Sequence, residues 1–311
     1  MSIKLQMLND QFVLSPEDIA NFRKSGFLKL KSFFTVGFIH SLLDKVSRQI
    51  SSPKDNFGSQ FAKFKYDILN DDEEVLDLIQ TENFAKFVNT MVDKPVFYVQ
   101  GIGFAINHKT SGFPWHVGTQ SFGYQRLEDY GVSIWIPLNP IDPANQAGGM
   151  AYVPKDQLAG TFVYQHVNCL PKYVSQATEG RSKQEGLKTF LDIKHSLLNS
   201  STMDPILRSV AAEDAFELGD ALLFDKHVIH RSIPLKPGPI AVRHAFVMRF
   251  SNIDARYNKH AVDMLEYPRQ QFDFAGSSDF NLQVCSEDNQ LIRESPFYEG
   301  KFDQRIVKSR N

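Results

Sequence analysis

Residues 113–119 (FPWHVGT) are the first of two segments whose residue types could bind a metal. In oxygen-activating enzymes that hold non-haem iron, two histidines and one carboxylate occupy one face of the metal, and the carboxylate commonly lies two residues after the first histidine. Here His116 is followed two residues later by Gly118, which has no side chain to offer. The segment therefore predicts either a metal site without its usual carboxylate or an inactive site in which Gly118 serves only a turn.

Residues 218–232 (LGDALLFDKHVIHRS) form the second segment. A Gly-Asp turn opens an apolar strand, and His227 and His230 follow where that strand ends. Imidazole is a good ligand for Fe(II), and ligands from separate segments can converge at the ends of barrel strands. The residues alone leave both histidines open as the partner of His116.

Two arginines follow in the predicted strand 240–250. Side chains alternate along a strand, so one face of it carries Arg243, Ala245, Val247 and Arg249. Two guanidinium groups among apolar side chains need anionic partners if that face is the interior. The terminal carboxylate of a dicarboxylate cosubstrate would supply one through bidentate pairing.

The composition predicts a globular chain with a substantial core, since 42% of residues are hydrophobic and 23% are charged. Its 311 residues suit one large domain or two ordinary ones. The net charge of −2 indicates no nucleic-acid partner. Two distant cysteines, Cys169 and Cys285, disfavour a disulfide scaffold or zinc ribbon, and no signal peptide or long apolar run predicts secretion or a membrane. We therefore expect a cytoplasmic protein, either whole or part of a longer polypeptide.

The first 95 residues predict a mainly helical layer. Ser15 as N-cap, a proline at the first helical position and acidic residues in the first turn predict a helix over 15–25 that Gly26 ends. The other segments of this layer are a strand over 27–30, a helix capped by Thr35, a loop over 51–60 and an amphipathic helical stretch over 73–92.

From residue 96 the pattern changes to short β-branched, aromatic and aliphatic runs separated by turn residues. The predicted strands are 96–106, 130–138, 150–153, 161–164, 221–224 and 240–250. Because they do not alternate with helices, they favour an antiparallel sandwich or barrel such as a jelly roll. We expect one α+β domain over 1–311, with a helical layer over 1–95, a jelly-roll (double-stranded β-helix) core over 96–250 and an extension over 251–311. Within the core, the polar residues 165–212, helical near 184–194 and 203–212, would be an insertion that serves as a solvated loop or as a substrate lid.

The two histidine segments carry a family resemblance. Pro-Trp-His-x-Gly, then Gly-Asp-x-Leu-x-Phe-x₅-His-x-Ser and a following arginine, resemble the phytanoyl-CoA dioxygenase superfamily of Fe(II)/2-oxoglutarate oxygenases, and residues 135–138 and 149–154 echo its segment between the ligands. The resemblance spans residues 15–250. Most members carry aspartate where this chain has Gly118, whereas the non-haem iron halogenases carry alanine or glycine. The chain as a whole is most similar to the halogenase domains of the curacin and jamaicamide polyketide pathways.

This resemblance implies a ligand set. His116 and His230 would bind Fe(II), since the His-x-Ser ending favours His230 over His227, and chloride would occupy the position that Gly118 leaves open. Two neutral imidazoles, a 2-oxoglutarate dianion and one aspartate would leave Fe(II) with a net charge of −1. Chloride in place of aspartate gives the same total, so the exchange preserves the charge of the centre.

The resemblance also implies a reaction and a partner. O₂ would cleave 2-oxoglutarate to succinate and CO₂, and chlorine would be transferred to an unactivated carbon of an acyl group, 3-hydroxy-3-methylglutaryl, held on an acyl carrier protein in a polyketide synthase. Arg243 would bind the 2-oxoglutarate carboxylate. Arg249 would share it, order water near the halide, or form a strand-end salt bridge.

Several assignments stay open at this point. A hydroxylase could recruit Glu128 or Asp129, or water, as its third ligand, and a non-catalytic jelly roll could bind an acyl chain or a carrier protein without metal. Strand phase suggests that Thr119, Ser133 and Phe104 line the pocket. A substrate carboxylate would need a cation, for which the unranked candidates are Lys109, Arg126, Lys226 and Arg231. No role is assigned to His108, His166, His195 and His244.

Overall fold

The computed structural model describes residues 6–51, 57–58, 62–119, 121–166, 169–272, 280 and 283–308. Its N-terminal part is mainly helical, as predicted. In chain order it comprises α1 (Pro16–Ser25), β1 (Phe27–Leu30), α2 (Val36–Ser51), β2 (Phe57–Gly58), β3 (Lys63–Tyr66), α3 (Glu73–Gln80) and α4 (Glu82–Met91).

The predicted helix signals act where expected in this layer. Ser15 and Asp18 form a reciprocal capping box at the start of α1, and Gly26 ends it with φ of 79°. The Thr35 hydroxyl accepts a hydrogen bond from the Phe38 amide at 3.3 Å at the start of α2. The stretch 73–92 is two helices rather than one, because Thr81 leaves the helical conformation and caps α4.

The predicted loop over 51–60 is only partly described. Ser51 is the last residue of α2, and β2 pairs with β3 in an antiparallel ladder. The remaining residues, 52–56 and 59–60, lie outside the described ranges.

The second part of the chain contains two antiparallel sheets. The strands are β4 (Val96–Asn107), β5 (Gly131–Pro137), β6 (Met150–Tyr152), β7 (Ala212–Glu213), β8 (Ala221–Asp225), β9 (His230–Ser232) and β10 (Val242–Asn252). Seven strands form a large sheet in the order β1-β8-β5-β10-β4-β3-β2, and three form a small sheet in the order β7-β6-β9. The antiparallel core was predicted, and the short strands β2, β3, β7 and β9 were not.

Strand β10 lies inside the large sheet and separates two environments. Phe246, Met248 and Phe250 belong to the core cluster that α2, α3 and α4 fill from the helical side. Arg243, Val247 and Arg249 point to the other side, where they line a cavity between the two sheets. The predicted alternation of β10 is therefore correct, and it directs both guanidinium groups into the interior.

One predicted strand is wrong. Residues 161–164 belong to α5 (Thr161–His166) and not to a strand. The Tyr164 side chain points inward, where its hydroxyl donates to the Phe122 carbonyl, while Phe162 is left 64% exposed. The anchoring of the Tyr164 side chain outweighs the β propensity of residues 161–164 (Thr-Phe-Val-Tyr).

The insertion over 165–212 is mainly helical where it is described, and its last residue begins β7. It contains α6 (Leu170–Ala177), α7 (Lys183–Asn199) and α8 (Met203–Val210), of which the last two match the predicted helical patches and α6 was missed. The C-terminal extension folds onto the domain through α9 (Lys259–Phe272) and short 3₁₀ helices at Ile292–Glu294, Pro296–Tyr298 and Phe302–Gln304. None of the helices in the described ranges has the length and apolar character needed to cross a membrane.

Candidate functional site

His116 and His230 lie side by side on neighbouring chain segments. Each backbone amide donates to the other's carbonyl at 2.9 Å, which forms an antiparallel bridge between the two residues. The imidazole centroids are 4.2 Å apart with an interplanar angle of 54°. The structure therefore brings together the two histidines that the sequence paired, whereas His227 does not line the cavity.

The Nδ1 atoms of both histidines already have hydrogen-bond partners. His116 Nδ1 lies 2.7 Å from the Pro114 carbonyl, and His230 Nδ1 lies 2.8 Å from the Val228 carbonyl. A carbonyl can only accept, so each Nδ1 carries the proton and each Nε2 keeps its lone pair for the cavity. Burial lowers the pKa of His116 to about 4 and the pKa of His230 well below its ordinary value. Both imidazoles are thus neutral at pH 7, which is the form that binds a metal.

Gly118 also lines the cavity, two residues from His116. Its amide donates to the Lys226 carbonyl at 3.0 Å. A Cβ atom at this position would lie 3.0 Å from Phe122 Cδ2 and 3.1 Å from the Lys226 carbonyl oxygen, which is closer than ordinary contact. The surrounding structure therefore fits a residue without a side chain.

Arg243 and Arg249 are buried in the same cavity wall, at 2% and 8% exposure. Arg243 donates through Nε to the Gly148 carbonyl at 2.7 Å, while its Nη1 has no partner. Nε and Nη1 of Arg249 are likewise buried without partners. Burial lowers the pKa of Arg243 to about 9 and that of Arg249 to about 10, so both remain cationic at pH 7. Buried donors of this kind need an anionic acceptor.

The remaining walls come from strands of both sheets, from α7 and from the loop that contains Thr119. Thr119, Ser133 and Phe104 line the cavity as predicted, and the cavity measures about 240 Å³. Sequence reasoning missed two elements of the wall. They are β3, which contributes Phe64 and Tyr66, and α7, which contributes Leu191, Lys194 and His195. The spacing of 191, 194 and 195 places these three side chains on one face of α7, which is the signal that could have found them. His195 had been given no role.

No aspartate or glutamate lies among the cavity-lining residues of the described ranges. The ionisable side chains there are His116, His195, His230, Lys194, Lys226, Arg231, Arg243, Arg249 and Tyr66. Burial lowers the pKa of Lys194 and that of Lys226 to about 7. The arginines Arg243 and Arg249 stay cationic and no acidic side chain in this lining balances them, so the wall favours anions.

The alternative carboxylates are placed elsewhere. Asp129 accepts hydrogen bonds from the amides of Arg126 and Arg256, at 3.3 and 2.8 Å, and neither Asp129 nor Glu128 lines the cavity. Within the described ranges, no group of three or more His, Cys, Asp or Glu side chains is arranged to hold a metal. Among the described residues, a metal at this site would find two protein ligands and would need its other ligands from small molecules.

Of the four cations left unranked by sequence, two face the cavity and two do not. Lys226 and Arg231 line it, whereas Lys109 and Arg126 lie outside. Lys226 donates to the Arg126 carbonyl at 2.9 Å and lies over the Tyr164 ring. Arg231 lies over the Trp115 ring at 5.1 Å and beside Asp204.

No protein-family model matches the chain, and no curated protein sequence does either. Solved structures do match its fold. The non-heme alpha-ketoglutarate-dependent carbocyclase SnoK from nogalamycin biosynthesis superposes with a TM-score of 0.59 at 11% identity, covering 89% of this chain and 93% of that one. The epimerase SnoN, solved in complex with Fe³⁺, alpha-ketoglutarate and nogalamycin RO, gives a TM-score of 0.57 at 11% identity and covers 88% and 94%.

A third similar structure is EctD from S. alaskensis with bound Fe, with a TM-score of 0.51, 13% identity and coverage of 82% and 84%. At these identities the likeness concerns the fold and not the reaction. It confirms the predicted α+β class with a jelly-roll core. The chain has the jelly-roll fold that SnoK and SnoN use.

Proposed function

We propose that the protein is an Fe(II)/2-oxoglutarate-dependent enzyme, and specifically a halogenase. The observation that carries the proposal is the pair formed by His116 and His230, whose Nδ1 atoms are engaged and whose Nε2 atoms keep their lone pairs. Gly118, at the position where a carboxylate ligand is usual, lines the same cavity and offers no side chain. SnoK depends on alpha-ketoglutarate, SnoN was solved with Fe³⁺ and alpha-ketoglutarate, and EctD was solved with Fe, which supports the same cofactors here.

The residues present fit these cofactors. Two neutral imidazoles are suitable ligands for Fe(II), and the partnerless guanidinium nitrogens of Arg243 and Arg249 suit a carboxylate of 2-oxoglutarate. When bound, iron, 2-oxoglutarate and O₂ supply an oxidant able to take a hydrogen atom from an unactivated carbon. The protein's own part is to hold the imidazoles neutral and to orient the cosubstrate against β10.

Halogenation is favoured over hydroxylation by the composition of the wall. A hydroxylase with the usual carboxylate would need an acidic side chain at the cavity, and the described lining has none. Chloride would bring the negative charge that aspartate normally contributes, and the buried cations around it would favour its binding. Close contacts with Phe122 and Lys226 would strain a Cβ atom at position 118, which fits the glycine found there.

The substrate is proposed as an acyl group on an acyl carrier protein, with 3-hydroxy-3-methylglutaryl as the candidate. This part rests on the sequence resemblance. The cationic lining, which now includes Lys226 and Arg231, is compatible with a substrate that carries a carboxylate.

An anaerobic titration with Fe(II) and 2-oxoglutarate tests the proposal. We expect one Fe(II) per chain, a charge-transfer band that changes with chloride, and a chlorinated acyl product in the mass spectrum of the carrier protein after O₂ is admitted. If the charge-transfer band did not change with chloride and only hydroxylated product appeared, the halogenase proposal would be refuted, and the broader assignment as an Fe(II)/2-oxoglutarate-dependent enzyme would stand.

The second candidate, a non-catalytic binding module, is separated by substitution. His116→Ala and His230→Ala should each abolish stoichiometric Fe(II) binding. His227→Ala is the matched control, since its ring packs on Tyr164 outside the cavity and its loss should leave Fe(II) binding unchanged. No stoichiometric Fe(II) binding by the unsubstituted protein would favour the non-catalytic module, and binding that His116→Ala and His230→Ala leave unaltered would show that these histidines do not hold the metal.

A further inference from the structure

The insertion helices make direct contact with the segments that carry the two histidines. Asn199, the last residue of α7, accepts a hydrogen bond from the Trp115 amide at 2.9 Å and donates through Nδ2 to the Trp115 carbonyl at 2.9 Å. Its Nδ2 also donates to the His195 carbonyl at 2.9 Å. One side chain thus satisfies both backbone groups of the residue before His116.

These bonds act on the His116 ring through one peptide group. The amide of Trp115 and the carbonyl of Pro114 belong to the same planar peptide. Asn199 binds that peptide from the amide side, and His116 Nδ1 binds it from the carbonyl side at 2.7 Å. A rotation of the peptide would move the group that sets the tautomer and the orientation of the imidazole.

Asp204 in α8 connects the neighbours of both histidines. Its Oδ1 accepts the Trp115 indole N–H at 2.8 Å and lies 3.7 Å from Arg231 Nη1. The Arg231 guanidinium in turn lies over the Trp115 ring. Trp115 precedes His116, and Arg231 follows His230. The Asp204 carboxylate therefore holds together the two chain segments that carry the histidines. The antiparallel bridge between these segments sets the distance between the two imidazoles.

We propose that Asn199 and Asp204 are positioning residues for the metal site, and that the insertion over 165–212 therefore helps to bind the metal as well as to enclose the cavity. The inference rests on the proposed metal-binding role of His116 and His230. Neither residue faces the cavity, and neither is among the ligands.

Co(II), as an air-stable replacement for Fe(II), provides the probe. We expect Asn199→Ala and Asp204→Ala to raise the Kd of the full chain for Co(II) about tenfold, the scale on which partners behind metal ligands act, and to alter the visible absorption spectrum of the bound ion. Asp204→Asn keeps an oxygen that accepts the indole N–H, so its Kd should lie closer to that of the unsubstituted protein. This rescue would not follow from a loss of helix stability alone.

Asp72→Ala is the matched control. Asp72 caps α3 and pairs with Lys45 at 2.7 Å, so its removal lowers the melting temperature at a position remote from the cavity. If Asn199→Ala bound Co(II) as tightly as the unsubstituted protein, or if Asp72→Ala weakened binding equally at the same loss of melting temperature, the positioning role would be refuted. If the unsubstituted protein bound no Co(II), the proposed function would fail and this inference with it.

Discussion

Arg243→Met separates a binding role of this arginine from a structural one, because the two roles predict opposite signs for stability. Methionine has a comparable length and no charge. In the protein without cosubstrate, the change removes one hydrogen bond to the Gly148 carbonyl, worth about 1 kcal/mol. It also removes a desolvated charge with a partnerless Nη1. Replacing a buried ion pair by apolar groups is often neutral or stabilising by about 1–4 kcal/mol, and we apply the stabilising scale to this single charge. We expect the free energy of unfolding to change between zero and an increase of about 3 kcal/mol.

The affinity for 2-oxoglutarate should change in the other direction. Loss of one partner from a buried, hydrogen-bonded charge pair costs about 2–5 kcal/mol, which raises Kd at least about 30-fold. Isothermal titration calorimetry of 2-oxoglutarate into the Co(II)-loaded protein measures this, and urea unfolding of the metal-free protein measures the stability.

The matched control is Arg305→Met. Arg305 is also buried, at 4% exposure, but it pairs with Asp71 at 2.7 Å outside the cavity. This variant should lose about 1–3 kcal/mol of stability and keep its affinity for 2-oxoglutarate. The reasoning would be refuted if Arg243→Met lost more than about 2 kcal/mol of stability while its affinity for 2-oxoglutarate stayed the same.

Two further predictions concern the histidines and the glycine beside them. Gly118→Asp should retain Fe(II), while the charge-transfer band should lose its dependence on chloride. Gly118→Ala introduces the same crowding, which costs about 1–3 kcal/mol of stability, but no carboxylate, so its band should keep that dependence. Halide titrations of both variants check this. Burial lowers the pKa of His116, His195 and His227 to about 4, so in the metal-free protein the unfolded state binds more protons below pH 6.5 and stability falls as the pH falls towards 4. The fully buried His116 should contribute about 1.4 kcal/mol per pH unit near pH 5, and the partly exposed His195 and His227 should contribute less. Urea unfolding at pH 7, 6 and 5 measures this slope, and a stability that is flat over this range would contradict the assigned burial.

The sequence was most informative where local chemistry decides the structure. Ser15, Gly26 and Thr35 act on the helix ends next to them, and the alternation of apolar residues around Arg243 and Arg249 follows from strand geometry alone. These signals do not depend on distant parts of the chain.

What sequence reasoning missed depends on distant contacts. Residues 161–164 have β propensity, but a buried hydrogen bond from Tyr164 to the Phe122 carbonyl accompanies a helix there. The cavity-facing positions Lys194 and His195 lie in a polar helix whose docking partner, Trp115, is 84 residues away from Asn199. No local pattern identifies such a partner, so the insertion could be placed as helical but not as a wall of the site.

The contacts of Asn199 and Asp204 have a consequence for redesign of the cavity. Strand β10, which bears both arginines, is paired on both sides with β4 and β5, so the proposed cosubstrate end is built into the sheet. The α7 face with Leu191, Lys194 and His195 is carried by an insertion outside the sheets. New substrate preferences are therefore best sought by exchanging α7 up to residue 198, with the junction at residues 199–204 left intact.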